Sequence, residues 1–554
     1  MAAKCRIRFF SLLLSLAVVP SHVWGMEVNP ADYPSLSTPQ MGHVRHMVNL
    51  ANQLDGDFSL MGEMDPVWYM SFNAYQFQIA FAAYALASAH YHYTPAHRDL
   101  YQEASARLIS RMIYKDVWDY WAHTSKFDLT DRTDTAEGAD RMVNYSEDDW
   151  YGWIDPNIKK NIMYSGHLLQ MVGLHAVLFD DDRYDEPGSL AFRFAPVAYG
   201  EEPIVIVFHH DHNRLAKVIY DQFVEDRFRG IECERNAVYA ECNQHPILGL
   251  MHYDFTHDTQ LSPEVRREFK KTMQRRGYVD PETNTTMYFL KVKQDEVVPA
   301  TYAWGDGWNG HAQHAWDKEY IESIYPDQVE LYMPAMLRGW PYENMGWAAS
   351  FDFGWFALLA SEVGDVETVQ AMTEYADEHF DPTWKDGGYY YPNSPDYAYT
   401  FNRDWLGYIG NVGPVTGNVL VGFARINPKD GLWEIYNRPW EKAHFKEPYI
   451  TDVEYLEANV TQAVYDPDKD ALIVSLTPGP VASESTSFTV RQLDPAKTYS
   501  LIKDGKLLGE VNQGRGTAPA GVEWQPDGSL RVGTDLNQGH SFVLKSLPST
   551  LASR

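Results

Sequence analysis

The chain has 554 residues, 14% of them aromatic, and a formal net charge of −30 at pH 7. A surface this acidic repels nucleic acid and anionic lipid, so we expect neither as a ligand. The length exceeds what one compact core usually supports, which favours one large domain followed by a smaller one. Acidic, aromatic-rich chains occur both among carbohydrate-active enzymes and among proteins with pockets for apolar ligands, and composition does not choose between them.

The first 25 residues are typical of a secretory signal peptide. Lys4, Arg6 and Arg8 give a basic start, residues 9–19 are apolar, and Gly25 is small enough for a cleavage site. The apolar run is too short to cross a bilayer, and no later stretch is long enough, so we predict no membrane span. We expect a lumenal or secreted protein with glycosylation sequons at Asn144, Asn284 and Asn459.

Between about residues 40 and 440, apolar residues recur at helical spacing. This periodicity predicts helices over Tyr75–His90, Lys160–Leu178, Arg214–Phe228, Val265–Arg276, Phe351–Val363 and Val366–His379. Long loops rich in Trp, Tyr, Asp and Gly separate the helices, and residues 301–316 (TYAWGDGWNGHAQHAW) are predicted to form one of them. Many amphipathic helices joined by long loops predict a mainly α fold in which paired helices stack into a toroid.

From about residue 450 the pattern changes to short alternating runs, such as ANVTQAVYD at 458–466 and HSFVLKSL at 540–547. Asp504-Gly505 and Asp527-Gly528 supply the turn chemistry of hairpins. We therefore predict a small antiparallel, sandwich-like β-domain over residues 450–548. A Pro- and Trp-rich stretch at 437–449 joins it to the helical region.

Two cysteines remain once the leader, which contains Cys5, is set aside. Cys233 and Cys242 lie nine residues apart in GIECERNAVYAECN, and in an oxidising compartment they are a disulfide, a reactive pair or buried filler. Filler fits poorly because polar residues crowd the segment: Glu234, Arg235, Asn236, Glu241 and Asn243. A reactive pair needs a proton partner. His167, in the apolar helix at NIMYSGHLL, offers one, although a lone helix histidine is more often a core residue.

Three segments together resemble the linalool dehydratase-isomerase family. They are YQFQIAFAAYALA at 75–87, NIMYSGHL at 161–168 and the cysteine segment, in the family's order and spacing. TYAWGDGW at 301–308 and LLASEVGD at 358–365 extend the likeness, which spans roughly residues 40–430. The resemblance implies an (α/α)6 toroid with an apolar central pocket and cofactor-free acid-base chemistry on an allylic alcohol. The β-domain lies outside it.

The resemblance also implies site residues. His167, Cys233 and Cys242 match the family's pocket histidine and its two thiols, which act as proton donor and acceptor. Asp55 corresponds to the family's catalytic carboxylate, and Asp57 is the alternative. The positions matching substrate-binding residues are Tyr75, Phe77, Glu234, Tyr239, Asn243, Trp304 and Trp308. Phe77 and Trp304 replace tyrosines, so two hydroxyls are lost, although Tyr75 can reach the space of the first. This change predicts a larger or flatter apolar substrate.

We therefore expect a dehydratase, isomerase or cyclase that needs no metal or organic cofactor and acts on a hydrophobic terpenoid-like or polyketide-like metabolite. Its partner is that small molecule, and self-association of the chain stays open. A secreted glycoside hydrolase or polysaccharide lyase with an (α/α)6 toroid is the main alternative, with carboxylates to choose from at Asp148, Asp149, Asp352 and Asp404. A secreted carrier of apolar ligands is a third interpretation.

Two further clusters attract attention. FHHDHNRL contains His209, His210, Asp211 and His212, but adjacent histidines point in different directions, which favours a solvated helix start over a metal site. In the aromatic loop, Asp306, His311 and His314 either line the mouth of the pocket or are merely structural.

Overall fold

The computed structural model describes residues 28–61, 75–125, 153–195, 205–336, 348–392 and 413–547. The predicted leader lies outside these residues, as do Asn144, Asp148, Asp149 and Asp404. Asp352 falls within a described helix, but its side chain is not described.

The described residues are mainly helical, as the periodicity predicts. The helices are α1 (Thr38–Asn52), α2 (Tyr75–Tyr93), α3 (Arg98–Met112), α4 (Lys115–Trp118), α5 (Trp121–Thr124), α6 (Ile162–Phe179), α7 (His212–Glu225), α8 (Gln244–His257), α9 (Ser262–Arg276), α10 (Ala303–Met336), α11 (Ala348–Val363), α12 (Val366–His379), α13 (Val421–Ile426) and α14 (Gly431–Asn437). All six predicted helices are present, and α12 has the predicted bounds. A π-helical turn, Thr416–Leu420, leads into α13.

Helix α6 lies in the centre of the fold, with all of residues 162–178 buried. It packs tightly against α8 because glycines remove the side chains that would separate the two helices. A Cβ on Gly166 would lie 2.7 Å from Pro246 Cδ, and one on Gly249 would lie 2.6 Å from Leu169 Cγ. In length and composition α6 would suffice to cross a membrane, and it alone does so among the described helices, yet 89% of it is buried inside the protein. This burial is what a central core helix requires.

The predicted loop at 301–316 is wrong, because residues from Ala303 onward form helix α10, which is broken only at Asp317 (φ −139°, ψ 47°). The glycines in this helix allow a neighbouring helix to pack closely and do not form turns. A Cβ on Gly307 would lie 2.6 Å from the backbone carbon of Trp355, and one on Gly310 would lie 2.9 Å from a methyl carbon of Leu359. A glycine that allows close approach of another helix looks the same in a sequence as one that makes a turn.

The strands form several small antiparallel sheets. They are β1 (Leu190–Phe194), β2 (Ile206–His210), β3 (Ala237–Val238), β4 (Phe289–Lys291), β5 (Glu296–Val298), β6 (Thr383–Lys385), β7 (Gly388–Tyr390), β8 (Tyr449–Thr451), β9 (Ala458–Asp466), β10 (Ala471–Pro478), β11 (Ser485–Arg491), β12 (Tyr499–Lys503), β13 (Lys506–Val511), β14 (Val522–Trp524), β15 (Leu530–Asp535) and β16 (His540–Ser546). Strands β1 and β2 pair with each other, as do β6 and β7, while β3, β4 and β5 form a third sheet.

The remaining strands form two larger sheets, in the orders β13-β12-β16-β10-β9 and β14-β15-β11-β8. Val474 and Phe542 from the first sheet share one buried cluster with Phe488 and Val532 from the second, so the two sheets pack face to face. Asp504-Gly505 makes the predicted hairpin turn between β12 and β13, with φ of +50° and +73°. The domain boundaries at 440 and 450 stay a prediction.

Two predicted glycosylation sites lie among the described residues, and both amide groups are engaged. The Asn459 oxygen accepts a hydrogen bond from the buried Arg45 of α1, and its nitrogen donates to the Pro478 carbonyl at 2.8 Å. The half-buried Asn284 donates its amide nitrogen to Asp327 at 2.6 Å. A glycan would be attached through that same nitrogen. Glycosylation of these residues stays a prediction, and it would displace these contacts.

Candidate active site

The cysteine segment forms a buried loop that its own asparagine holds in shape. Asn243 accepts a hydrogen bond from the Ile231 N–H at 2.7 Å and donates to the carbonyls of Ile231 and Tyr239 at 3.0 and 2.8 Å. Gly230 at the start of the loop has φ +100°, and a Cβ there would lie 2.5 Å from Val238. Asn243 therefore organises the loop, and its predicted contact with substrate stays a prediction.

Cys233 and Cys242 are both buried, free thiols whose side chains hydrogen-bond to each other. Burial raises the pKa of the Cys233 thiol to about 11, and the negative charges of Glu234 and Glu241 add to the effect. Burial likewise raises the pKa of Cys242 well above its ordinary value. A helix N-terminus such as that of α8 favours a thiolate, but here desolvation outweighs it. Both sulfurs therefore carry their protons at neutral pH.

Glu241 adds a buried carboxyl group directly beside the thiols. The side chain is 1% exposed, and among the described residues its Oε2 has no hydrogen-bond partner. Burial raises its pKa to about 8, with further contributions from the charges of Glu234 and Asp306. At pH 7 this carboxyl group is therefore mostly protonated. The sequence shows Glu241 only as one of several polar residues near the cysteines, and its adjacency to Cys242 is the one signal that singles it out.

His167 lies on α6 and is completely buried. Its Nδ1 lies 2.8 Å from the hydroxyl of Tyr84, while its Nε2 has no hydrogen-bond partner among the described residues. Burial lowers the pKa of His167 to about 3, so the ring is neutral at physiological pH. A neutral imidazole with a free buried nitrogen can exchange a proton with a bound molecule.

A second histidine, which the sequence analysis missed, packs against the first. The ring centroids of His167 and His245 lie 3.8 Å apart. The Trp308 indole N–H donates to His245 Nε2, so the proton of His245 is on Nδ1, which donates to Gln170 Oε1 at 2.7 Å. Burial lowers the pKa of His245 well below its ordinary value, and the neighbouring His167 adds to this shift. His245 follows Cys242 by three residues, and that spacing alone could have marked it.

Aromatic rings enclose His167. Phe77 lies edge-on to His167, with centroids 5.8 Å apart, and edge-on to Trp308 at 5.1 Å. Trp308 stacks on Trp355 at 4.2 Å with nearly parallel planes. The structure thus brings together Phe77, His167 and Trp308, as the resemblance implies. The surroundings of the imidazole are mostly hydrocarbon.

Two of the other predicted aromatic residues, Tyr239 and Trp304, lie on the side of the thiols. Tyr239 contacts Tyr288 edge-on at 5.9 Å, and Tyr288 contacts Trp304 at 6.3 Å. Burial raises the pKa of Tyr239 well above its ordinary value, and the charges of Tyr288, Glu234 and Cys233 contribute. Tyr239 and Glu234 are therefore neighbours of Cys233.

The thiol loop and the histidine pair meet at the first turn of α8. Cys242 lies two residues before this helix, and His245 is its second residue. Tyr120 supports the same region, because its hydroxyl donates to Asn161 Oδ1 at 2.9 Å just before α6. Burial raises the pKa of Tyr120 well above its ordinary value, and the charge of Glu234 adds to the shift. Two protonated thiols, a protonated carboxyl group and two neutral imidazoles thus occupy adjoining parts of one core.

Three predicted residues lie in a different environment. Asp55 is exposed on a turn, and Asp57 accepts a hydrogen bond from the Ser59 N–H at 2.9 Å, which lowers the pKa of Asp57. Tyr75 is half-buried and stacks on Phe58 at 4.2 Å. No contact between these residues and the thiols or His167 occurs among the described residues. The catalytic role of Asp55 stays a prediction, as does the substrate contact of Tyr75.

Asp306, His311 and His314 lie in helix α10 instead of at a loop, and all three are buried. Asp306 accepts hydrogen bonds from the Tyr332 hydroxyl at 2.7 Å and the Thr286 N–H at 2.5 Å. His314 Nδ1 lies 3.0 Å from Glu362, which is also buried. The predicted alternatives, the mouth of a pocket or a purely structural role, both stay open for these residues.

The prediction that FHHDHNRL forms a solvent-exposed helix start is half correct. Asp211 caps α7 by accepting from the Arg214 N–H at 2.8 Å, as a helix start requires. His210 and His212 are nevertheless completely buried. His210 Nε2 lies 2.9 Å from Asp155, and His212 has a carboxylate partner of its own. Distant residues thus partner the two buried histidines, which is why the local pattern did not reveal them.

A mainly helical fold with a buried acid-base cluster defines the class, and comparison with known families gives the assignment. Residues 76–397, more than half of the chain, match the family model described as linalool dehydratase/isomerase. The chain belongs to the linalool dehydratase/isomerase family, a family of lyase and isomerase enzymes.

Several solved structures are distantly similar. An unsaturated glucuronyl hydrolase from Bacillus sp. GL1 is 11% identical, with a TM-score of 0.39 over 74% of this chain and 96% of that one. Dfg5 from Chaetomium thermophilum is 10% identical, with a TM-score of 0.36 over 71% and 92%. The endoglucanase CelQ from Clostridium thermocellum is 9% identical, with a TM-score of 0.33 over 93% of each chain.

Proposed function

We propose that this protein is a cofactor-independent dehydratase, isomerase or cyclase that uses acid-base catalysis on a hydrophobic terpenoid-like or polyketide-like metabolite. One observation carries the proposal: protonated Cys233, Cys242 and Glu241 lie just before α8, whose second residue, His245, packs on the neutral His167, and His167 Nε2 has no partner among the described residues. Such a core holds both donors and acceptors of protons. An (α/α)6 toroid around this core remains part of the proposal.

The residues divide into donors and acceptors. In the dehydration of an allylic alcohol, an acid protonates the hydroxyl, water leaves, and a base removes a proton from carbon. Glu241, with its pKa raised to about 8 by burial, is the acid best matched to neutral pH, and the thiols beside it pass on or replace its proton. His167 Nε2 is the acceptor. In an isomerisation, water would add again at the other end of the allyl group.

The aromatic residues suit the cationic intermediate of the proposed reaction. When water leaves, the carbon skeleton becomes electron-poor, and the faces of Trp and Phe rings stabilise a cation while excluding water. Trp308 and Phe77 line His167 in this manner. Because Phe77 and Trp304 lack hydroxyls, we propose a substrate larger or flatter than a simple terpene alcohol. The leader-like N-terminus places the reaction in the secretory pathway in this proposal.

The test is turnover by the reduced, full-length protein, offered linalool and then larger terpenoid and polyketide alcohols, with products separated by gas or liquid chromatography and mass spectrometry. Once a substrate is found, Cys233→Ser and Cys242→Ser should each lower kcat/KM by about 10²-fold or more, since a placed acid or base contributes about 10²–10⁴-fold. Glu378→Gln, at a side chain that is 78% exposed, is the control and should leave turnover unchanged.

The same experiment separates the alternatives. Turnover that survives both serine substitutions contradicts the thiol assignment. Release of reducing sugar from polysaccharides, insensitive to those substitutions, supports the glycosidase or lyase alternative. Binding of an apolar ligand without turnover, retained in both variants, supports a carrier.

A further inference from the structure

A group of two histidines and one aspartate lies where three distant segments meet. Asp185 comes from the turn after α6, His212 is the first residue of α7, and His257 is the last residue of α8. Asp185 Oδ1 lies 3.1 Å from His212 Nδ1 and 3.2 Å from His257 Nε2. The three atoms all lie within 4.8 Å of one another.

These separations suit a shared metal ion. Zinc binds imidazole nitrogen and carboxylate oxygen at about 2.0–2.1 Å in a tetrahedral arrangement, which places neighbouring ligand atoms roughly 3.3 Å apart. Two imidazoles and one carboxylate are also the ligand types that a borderline cation prefers. The side chain of His212 is 1% exposed, whereas those of His257 and Asp185 are 18% and 27% exposed, so the group opens toward solvent on one side.

The hydrogen bonding of His257 supplies a second, independent indication. Its Nδ1 lies 2.8 Å from the Thr256 hydroxyl and 3.2 Å from the carbonyl oxygen of Tyr253. The Thr256 hydroxyl can donate to the His252 carbonyl at 3.0 Å, so Nδ1 can carry the ring proton and leave the Nε2 lone pair for a metal ion. Nε2 faces the Asp185 carboxylate at 3.2 Å, where a cation would bind both atoms. A backbone carbonyl that holds the far nitrogen is also the usual support of a metal-bound histidine.

A second group of potential metal ligands differs because a lysine already lies beside it. His314, Glu322 and Asp430 also lie within 4.8 Å of one another. The Lys318 ammonium lies 2.6 Å from Asp430 and 3.9 Å from Glu322, so a cation of the protein is already present there. Among the described residues, no lysine or arginine pairs with Asp185.

We propose that Asp185, His212 and His257 bind a divalent metal ion of the zinc type, with water completing the coordination. His257 lies fifteen residues beyond Cys242, about 22 Å along the chain of α8. The ion therefore takes no part in the proposed catalysis. It clamps the turn after α6, the start of α7 and the end of α8 to one another, and so stabilises the fold.

The test uses the untagged, full-length protein, stripped with a chelator and titrated with Zn²⁺ by calorimetry. We expect one Zn²⁺ per chain and a rise in Tm of roughly 2–3 °C at a hundredfold excess over Kd. His257→Ala and Asp185→Asn should each weaken binding at least tenfold and, at the same Zn²⁺ concentration, reduce the rise in Tm to about half or less. Both positions are partly exposed, so the variants should unfold near the Tm of the stripped wild type.

Two controls make the result decisive. His379→Ala removes a 43% exposed histidine that packs on Tyr375 and lies 3.8 Å from Glu378, and it should leave binding unchanged. The double variant Cys233→Ser, Cys242→Ser should also retain binding. Absence of stoichiometric binding by the wild type would overturn the proposal, as would full binding by His257→Ala or loss of binding in the cysteine variant.

Discussion

Relative to the wild type, Glu241→Gln should become more stable as pH rises from 5 to 8, and it should lose turnover. Glutamine keeps the shape of the protonated carboxyl group and cannot ionise. In the wild type, burial raises the pKa of Glu241 from an ordinary value of 4.5 to about 8. Between these two values the folded state binds more protons than the unfolded state, so the wild type loses stability as pH rises from 4.5 toward 8.

The size of the effect follows from the shift. Each pKa unit corresponds to about 1.4 kcal/mol. The free energy of unfolding of Glu241→Gln minus that of the wild type should therefore increase by about 3 kcal/mol from pH 5 to pH 8. Only the change in this difference with pH is diagnostic, because a new amide group in the core adds a contribution of its own that does not depend on pH.

The assay is urea unfolding, followed by far-UV circular dichroism with reductant present, at half-unit steps from pH 5 to pH 8. Glu378→Gln, at an exposed side chain, should give a difference from the wild type that does not change with pH. Parallel stability curves for the wild type and Glu241→Gln would refute the reasoning, since they would mean that the carboxyl group ionises normally in the folded protein.

Three further predictions rest on the same core. Burial lowers the pKa of His167 to about 3, so the folded protein resists protonation of this ring, and each such histidine should lower stability by up to about 2 kcal/mol as pH falls from about 6.5 to 5. The measurement is the calorimetric Tm of Glu241→Gln, which lacks the opposing titration of Glu241, and values that stay flat from pH 7 to pH 5 would contradict this. Trp308→Phe removes the donor to His245 Nε2 and should lower the free energy of unfolding, measured in urea, by about 1–3 kcal/mol. An unchanged urea midpoint would mean that the indole N–H contributes nothing to stability. Gly249→Ala places a Cβ 2.6 Å from a leucine of α6 and should lower the free energy of unfolding by about 1–3 kcal/mol. Gly305→Ala, whose Cβ meets nothing within 4 Å, is the control and should leave stability unchanged, so equal effects of the two substitutions would refute the packing argument.

Part of the fold could be read from the sequence because local periodicity reports burial. Helix α12 has the predicted bounds, and the hairpin at Asp504-Gly505 forms where its turn chemistry predicts. The aromatic segment that begins α10 was assigned wrongly, because Gly307 and Gly310 permit contact with α11 and make no turn. Whether a glycine turns the chain or admits a neighbouring helix depends on what lies opposite, and a local pattern does not contain that information.

The mainly helical character of the chain follows from its residues alone, and so do the alternating strands at its C-terminal end and the segments that carry His167, Cys233 and Cys242. The protonation states of these groups follow only from the folded structure. Burial keeps the thiols protonated, makes His167 neutral and makes Glu241, one of several polar residues near the cysteines, an acid with a pKa of about 8. Protonation depends on desolvation and on neighbours brought in from distant parts of the chain, and these exist only once the chain has folded.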